Sequence, residues 1–200
     1  MLDIITYLSN NITNFLCKKE VINLRDKSIY QYGCEVIISA IVGFTLILVT
    51  GVILEEILLS VVFLLVFVPL RMFTGGYHAD NYLKCNIVFE CLFLATIFST
   101  RIFISYFTYP AVILFGVFSF ITILCYAPIE NENKPLTEEE KKKHKLTGAI
   151  LCIFYEIIIL LVYPLASKLS VTATITLFIV TVLILYQKVK DGNDHEKFIN

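Results

Sequence analysis

Six apolar runs of near-bilayer length, at 35–54, 57–70, 86–100, 109–127, 148–166 and 171–186, divide the chain and confine most of its charge to the segments between them. A membrane-crossing helix needs roughly 17–25 residues, fewer where flanking groups snorkel or the bilayer thins. The first, fourth and fifth runs meet that length. The second and sixth are short, and the third is short and carries Glu90. The expectation is an all-α polytopic integral membrane protein, one domain with about six transmembrane helices. Four or five spans plus re-entrant or interfacial pieces is the alternative. Composition agrees: 58% of the 200 residues are hydrophobic and 16% charged, whereas a soluble domain carries about 25% charged and under half apolar residues.

The basic residues test the span count. With the N-terminus inside, the cytoplasmic segments hold Lys18, Lys19, Arg25 and Lys27, then Arg71 and Lys84, then Lys134, Lys141, Lys142, Lys143 and Lys145, then Lys188, Lys190 and Lys197. Only Arg101 and Lys168 fall outside, and the first outer turn carries Glu55 and Glu56. Basic loops stay in the cytoplasm, so a multi-pass protein of the cell membrane is expected, with its N-terminus and segment 71–86 on the cytoplasmic side. A net charge of −1 supplies no basic field for nucleic acid. The opening Met-Leu-Asp-Ile-Ile-Thr lacks the basic region of a cleavable signal peptide.

Within 1–33, Ile5, Leu8, Ile12, Phe15 and Leu16 recur at helical spacing opposite Asp3, Thr6, Asn10 and Asn14. Such a stripe fits an amphipathic helix in the membrane interface, or equally a helix packed on its own bundle. The segment 128–147 reads as a basic cytoplasmic loop. It opens with a proline-flanked stretch that resists helix; Thr137 and Glu140 then have capping-box spacing ahead of a short helix with acid-before-base order.

Chemistry concentrates between the second and third runs, in 71–86. Cys34, Cys91, Cys125 and Cys152 lie in or at the ends of apolar runs, where cysteine behaves as a small hydrophobe, and Cys17 lies in the amphipathic stretch. Cys85 alone sits in a polar, glycine-flanked segment. His78 is the one histidine close to a span, His144 falling in the basic loop and His195 in the tail. A thiolate rather than a thiol is the nucleophile, and free cysteine, with a pKa near ~8.5, is mostly protonated at neutral pH. A histidine can take that proton and later return it to a departing amine. Seven residues on a straight helix rise about 10.5 Å, too far for that exchange, so the chain is expected to bend or loop between Gly75 and Cys85. Glycines 75 and 76 permit such a path, and their backbone N–H groups are candidates for an oxyanion hole. Arg71 either holds a substrate carboxylate or anchors at the headgroups. Asp80, Asn81, Asn86 and Glu90 are open candidates to orient the histidine. By spacing alone the His–Cys pair is a weak signal. No second histidine or carboxylate cluster completes a metal ligand set, and neither metal nor cofactor is expected.

At this segment Arg71, Gly76, His78 and Cys85 reproduce the spacing Arg, four residues, Gly, one residue, His, six residues, Cys. With the Pro128-Ile129-Glu130-Asn131-Glu132-Asn133-Lys134-Pro135 stretch, it resembles the AgrB family, the membrane endopeptidases of Gram-positive peptide quorum sensing, over essentially the whole chain. The resemblance implies that Cys85, activated by His78, cleaves a short membrane-associated precursor of the AgrD type. It implies loss of the C-terminal tail, a thioester on Cys85, and displacement by an internal cysteine or serine to give a thiolactone or lactone. It further implies homodimers, a precursor leader in the bilayer interface, and an acidic tail that could meet Lys141, Lys142, Lys143 and Lys145, or Arg71. For the lysines, a topology signal and attraction to anionic lipid is the plainer reading. Glu90 and Glu156 fall inside expected spans, where acids are costly. Glu156, the deeper, is expected to find a partner on another helix or to stay protonated. The rival function is a small transporter or peptide exporter without covalent chemistry; a non-catalytic scaffold leaves the four-residue pattern unexplained.

Overall fold

The computed structural model describes residues 4–76, 81–129 and 136–199, with side chains through Lys190. Among the described residues seven α-helices run in order: α1 Ile4–Lys18, α2 Lys27–Ile53, α3 Ile57–Thr74, α4 Tyr82–Phe103, α5 Tyr109–Tyr126, α6 Glu138–Val162 and α7 Ser167–Ile199. A 3-10 turn, Leu24–Asp26, joins the first two. Helices α2 to α7 are each long and apolar enough to cross a bilayer, which gives the six spans expected. The short apolar runs are completed by polar ends, so that α4 reaches 22 residues although its apolar run is shorter. Helix α6 corrects one expectation. Thr137 does form a capping box with Glu140, but the helix it starts does not stop short; it continues unbroken to Val162. The lysine run therefore forms the first turns of a spanning helix rather than a separate loop.

Packing follows the rules of a lipid solvent, in which small residues let backbones approach and polar side chains are satisfied internally. Helix α2 buries every fourth residue, Ser39, Gly43, Ile47 and Gly51. At Gly51 a methyl group would stand 2.9 Å from Ser60 Cβ of α3. Large apolar side chains such as Ile41, Val52, Leu65 and Leu114 point outward. Helix α7 is the central post, buried all round from Ser170 to Leu177. Its threonines need no partner helix, because Thr172, Thr174, Thr176 and Thr181 each donate to the carbonyl four residues back at 2.7–3.0 Å. Pro69 inside α3 has no N–H and so cannot serve the Leu65 carbonyl. The Tyr155 hydroxyl of α6 donates to that carbonyl instead, at 2.6 Å. Between α3 and α4, Phe63, Phe67, Phe89 and Phe93 pack with ring centroids 5.1–5.6 Å apart.

The up-down path sorts the polar residues to two ends. At one, Glu56 accepts from Lys168 at 2.6 Å and from Arg101 at 3.2 Å, while Arg101 also donates to the Leu54 carbonyl at 2.9 Å. Burial alone would raise the Glu56 carboxyl, but the hydrogen bonds and charges of Lys168 and Arg101 outweigh it and hold it below the ordinary glutamate value. At the other end lie Tyr32, Arg71, Cys85, Ile129 and His144.

Helix α1 meets the bundle, as the second of its two readings expected. It packs against α2 through Ser9 and Thr13, which are fully buried, while Ile4, Leu8, Ile12 and Phe15 remain exposed. The polar side faces the bundle and the apolar side faces away, the inverse of a helix on a water-soluble core.

Candidate active site

The site is assembled where α3 ends and α4 begins. Arg71 closes the last turn of α3: its carbonyl accepts from the Gly75 N–H and its Nη1 donates to the Gly75 carbonyl, both at 3.0 Å. Gly75 (φ 71°, ψ −149°) and Gly76 (φ 122°) then turn the chain through conformations that side chains disfavour. The Thr74 carbonyl accepts from the Ile129 N–H at 2.9 Å, stitching the segment after α5 onto the end of α3. A Cβ at Gly75 would overlap the Ile129 carbonyl oxygen. Glycine at 75 is thus required twice, by conformation and by contact.

Asn81 is extended (φ −147°, ψ 160°) and its side chain accepts from the Lys84 N–H at 2.8 Å, capping α4. Cys85 follows in the first turn, its own N–H donating to the Asn81 carbonyl at 3.0 Å. The helix that holds Cys85 therefore starts after Asn81. His78 and Asp80 lie outside the described residues, as do Glu130 to Pro135 of the second motif.

Cys85 is an exposed free thiol. It lines a cavity of about 520 Å³ walled by Val36 and Phe44 of α2, Phe67 and Arg71 of α3, Phe89 of α4 and Ile129. The wall is mostly apolar, with Arg71 and Cys85 among its few polar members. One further member was not expected there: His144 of α6 lines the same cavity, its ring 5.6 Å from that of Phe73. Assigned to a loop, it could not be placed; the uninterrupted helix after Thr137 was the signal that could have brought it in.

The other sequence candidates are distributed as follows. The Gly75 N–H is committed to Arg71. Asn86 is buried, its carbonyl oxygen accepting from Ser39 at 3.4 Å, and Asn81 serves as the cap. Glu90 buries one carboxyl oxygen without a hydrogen-bond partner among the described residues, and Glu156 buries both, with its carboxyl pressed against Gly116 of α5. The partner expected for Glu156 is therefore not found among the described residues. Lys142 and Lys143 project into the surroundings, whereas Lys141 is held by Glu138 at 2.8 Å.

The profile of accessory gene regulator B matches residues 9–187 and so takes in α2 to α6 and the whole Arg71–Cys85 segment. The chain belongs to this family. Among similar proteins, a putative AgrB-like protein of Clostridium perfringens (strain SM101 / Type A) is 25% identical over 147 residues, 68% of each chain. A second from C. perfringens (strain 13 / Type A), putative AgrB-like protein 1, is 34% identical over 60% of this chain and 63% of its own. Accessory gene regulator protein B of Staphylococcus lugdunensis is 32% identical over 46% of this chain and 48% of its own. No solved structure matches. Membership of the AgrB family ties the chain to accessory gene regulator quorum sensing, in a protein whose six apolar helices fit a multi-pass membrane location.

Proposed function

We propose that this AgrB-family chain is a membrane cysteine endopeptidase that trims an AgrD-like precursor and prepares it for ring closure. The observation that carries the reading is the setting of Cys85: an exposed thiol in the first turn of α4, lining a mainly apolar cavity that Arg71 also lines. The start of a helix favours negative charge, which suits a sulfur that must become a thiolate. His78 takes the thiol proton as the sulfur attacks the scissile carbonyl carbon. The C–N bond then breaks and His78 returns the proton to the departing amine, leaving the acyl part as a thioester on Cys85. An internal thiol of the precursor attacks that thioester, the bond to Cys85 breaks, and a thiolactone closes; a serine in its place gives a lactone. Exchange of one thioester for another costs little, and an apolar cavity that limits water favours it over hydrolysis. Of the two glycines, Gly76 has the N–H we assign to the oxyanion, since that of Gly75 is occupied.

We place this end of the bundle at the cytoplasmic face on the distribution of basic residues. Lys142, Lys143 and Lys145, with Lys141, then stand on α6 where an acidic precursor tail can meet them. A rival exporter reading is favoured by one observation, the Glu156 carboxyl buried inside the bundle without a partner among the described residues. Tail release from a cognate precursor in liposomes separates the two. The endopeptidase reading expects Cys85→Ala and His78→Ala to abolish release, with His144→Ala and Glu156→Gln retaining it. Release that survives Cys85→Ala overturns it and favours the exporter.

A further inference from the structure

The endopeptidase reading assigns Cys85 a reaction but leaves open what holds the sulfur in place. The first turn of a helix is its least secure part, because its N–H groups have no partners within the helix. In α4 that turn is tied sideways to α2 by two polar contacts that bracket Cys85. Three residues before it, the Tyr82 hydroxyl donates to Glu35 Oε2 at 3.1 Å. One residue after it, the Asn86 side chain accepts from Ser39 at 3.4 Å. Glu35 and Ser39 are one turn apart on α2, as Tyr82 and Asn86 are on α4, so the two contacts form successive rungs between the helices. The Glu35 carboxylate is the hub. Its Oε1 also accepts from Gln31 of α2 at 3.3 Å and from the fully buried Ser9 of α1 at 3.2 Å, a hydroxyl that shares its proton with the Thr6 carbonyl at 3.0 Å. One charged group thereby joins the helix with the outward apolar stripe, the first spanning helix, and the turn that carries the thiol. Hydrogen bonds to an ionised acceptor are stronger than neutral ones, so the Tyr82 rung is the firmer of the two.

We propose that Glu35 is a positioning residue for Cys85, acting through Tyr82, and that it transmits the seating of α1 on α2 to the catalytic turn. This rests on the endopeptidase reading. Glu35 touches neither sulfur nor substrate; its effect is on where the sulfur stands when the carbonyl arrives. A misplacement of about 1 Å can cost on the order of 100-fold in rate. Loss of one rung, with the Asn86 rung still in place, is expected to cost about tenfold.

The test is a double-mutant cycle on the full chain in liposomes with a cognate precursor. Glu35→Gln, Tyr82→Phe and the double variant are each expected to lower kcat for tail release about tenfold, with KM unchanged and the double no worse than either single. Alkylation of Cys85 by iodoacetamide without precursor, followed by mass spectrometry of the Cys85 peptide with Cys125 as internal reference, is expected to change rate in the same variants. Wild-type kcat and alkylation in both singles, or losses that multiply in the double, overturn the proposal. Should Glu35→Gln fail to fold, Tyr82→Phe, which removes a single hydroxyl, decides by the same two readouts. Cys85→Ala in parallel keeps the two claims apart. Release that persists there defeats the endopeptidase reading, and alkylation then judges the positioning role. Release lost there but normal in the Glu35 and Tyr82 variants defeats the positioning role alone.

Discussion

Replacement of Gly75 by alanine probes the link between the end of α3 and the segment after α5. Gly75 holds φ 71° and ψ −149°, a region occupied essentially by glycine alone and costing other residues about 1–3 kcal/mol. The added methyl would also overlap the Ile129 carbonyl oxygen. That atom is backbone, so relief requires the 127–129 segment to shift rather than a side chain to rotate. The shift strains the 2.9 Å bond from the Ile129 N–H to the Thr74 carbonyl, worth about 0.5–1.5 kcal/mol. Together these give a destabilisation of roughly 2–4 kcal/mol. Reversible unfolding in mixed micelles titrated with SDS, followed by circular dichroism, measures it. Gly33→Ala is the internal control: it lies within α2 with nothing inside 4 Å of the new methyl, and is expected to be neutral or to gain up to ~1 kcal/mol in helix propensity. A Gly75→Ala protein that unfolds with wild type, or in step with Gly33→Ala, would refute the reasoning.

Three further outcomes are expected. The lowered Glu56 carboxyl contributes stability that is fully present above the ordinary glutamate pKa of about 4.3 and is lost as pH falls through the lower folded value. Glu56→Gln should therefore be less stable than wild type near neutrality, by about 1 kcal/mol because Arg101 and Lys168 are each nearly half exposed, with the gap closing on acidification. A gap independent of pH would contradict the assignment. Glu156→Met removes a buried carboxyl that has no partner among the described residues and should stabilise the bundle by about 1–3 kcal/mol while tail release continues; destabilisation would mean that Glu156 is bonded in the membrane. Neutralising Lys141, Lys142, Lys143 and Lys145 together should raise the precursor concentration for half-maximal release roughly fivefold, the effect of about 1 kcal/mol of exposed charge pairing. An unchanged concentration with intact topology removes tail binding by these lysines.

The number of spans was legible because lipid imposes a length, and the segregation of Lys and Arg was legible because it follows the insertion path rather than packing. Which face each helix buries was not. In a lipid solvent hydropathy no longer separates inside from outside: Thr172 and Thr174 are fully buried while Leu65 and Ile41 are exposed. The stripe of α1 was readable, but its orientation depended on Ser9 and Thr13 meeting α2. The capping box at Thr137 was read correctly, and its helix was cut short because a charge run was taken for a loop. His144 was misplaced with it. Cys85 stood out through its polar, glycine-flanked surroundings. Glu35 gave no such signal, since a lone acid at the edge of an apolar run resembles a boundary marker. Its role depends on Ser9 and Tyr82, distant in sequence, reaching the same carboxylate.

The most direct measurement is acyl-enzyme trapping: the protein in liposomes is incubated with its precursor, quenched in acid, digested and examined by mass spectrometry. The endopeptidase account predicts a hydroxylamine-sensitive adduct of the tail-less precursor on the Cys85 peptide, absent from Cys85→Ala and His78→Ala. Tail release without any adduct on Cys85, or an adduct on another of the six cysteines, would contradict it.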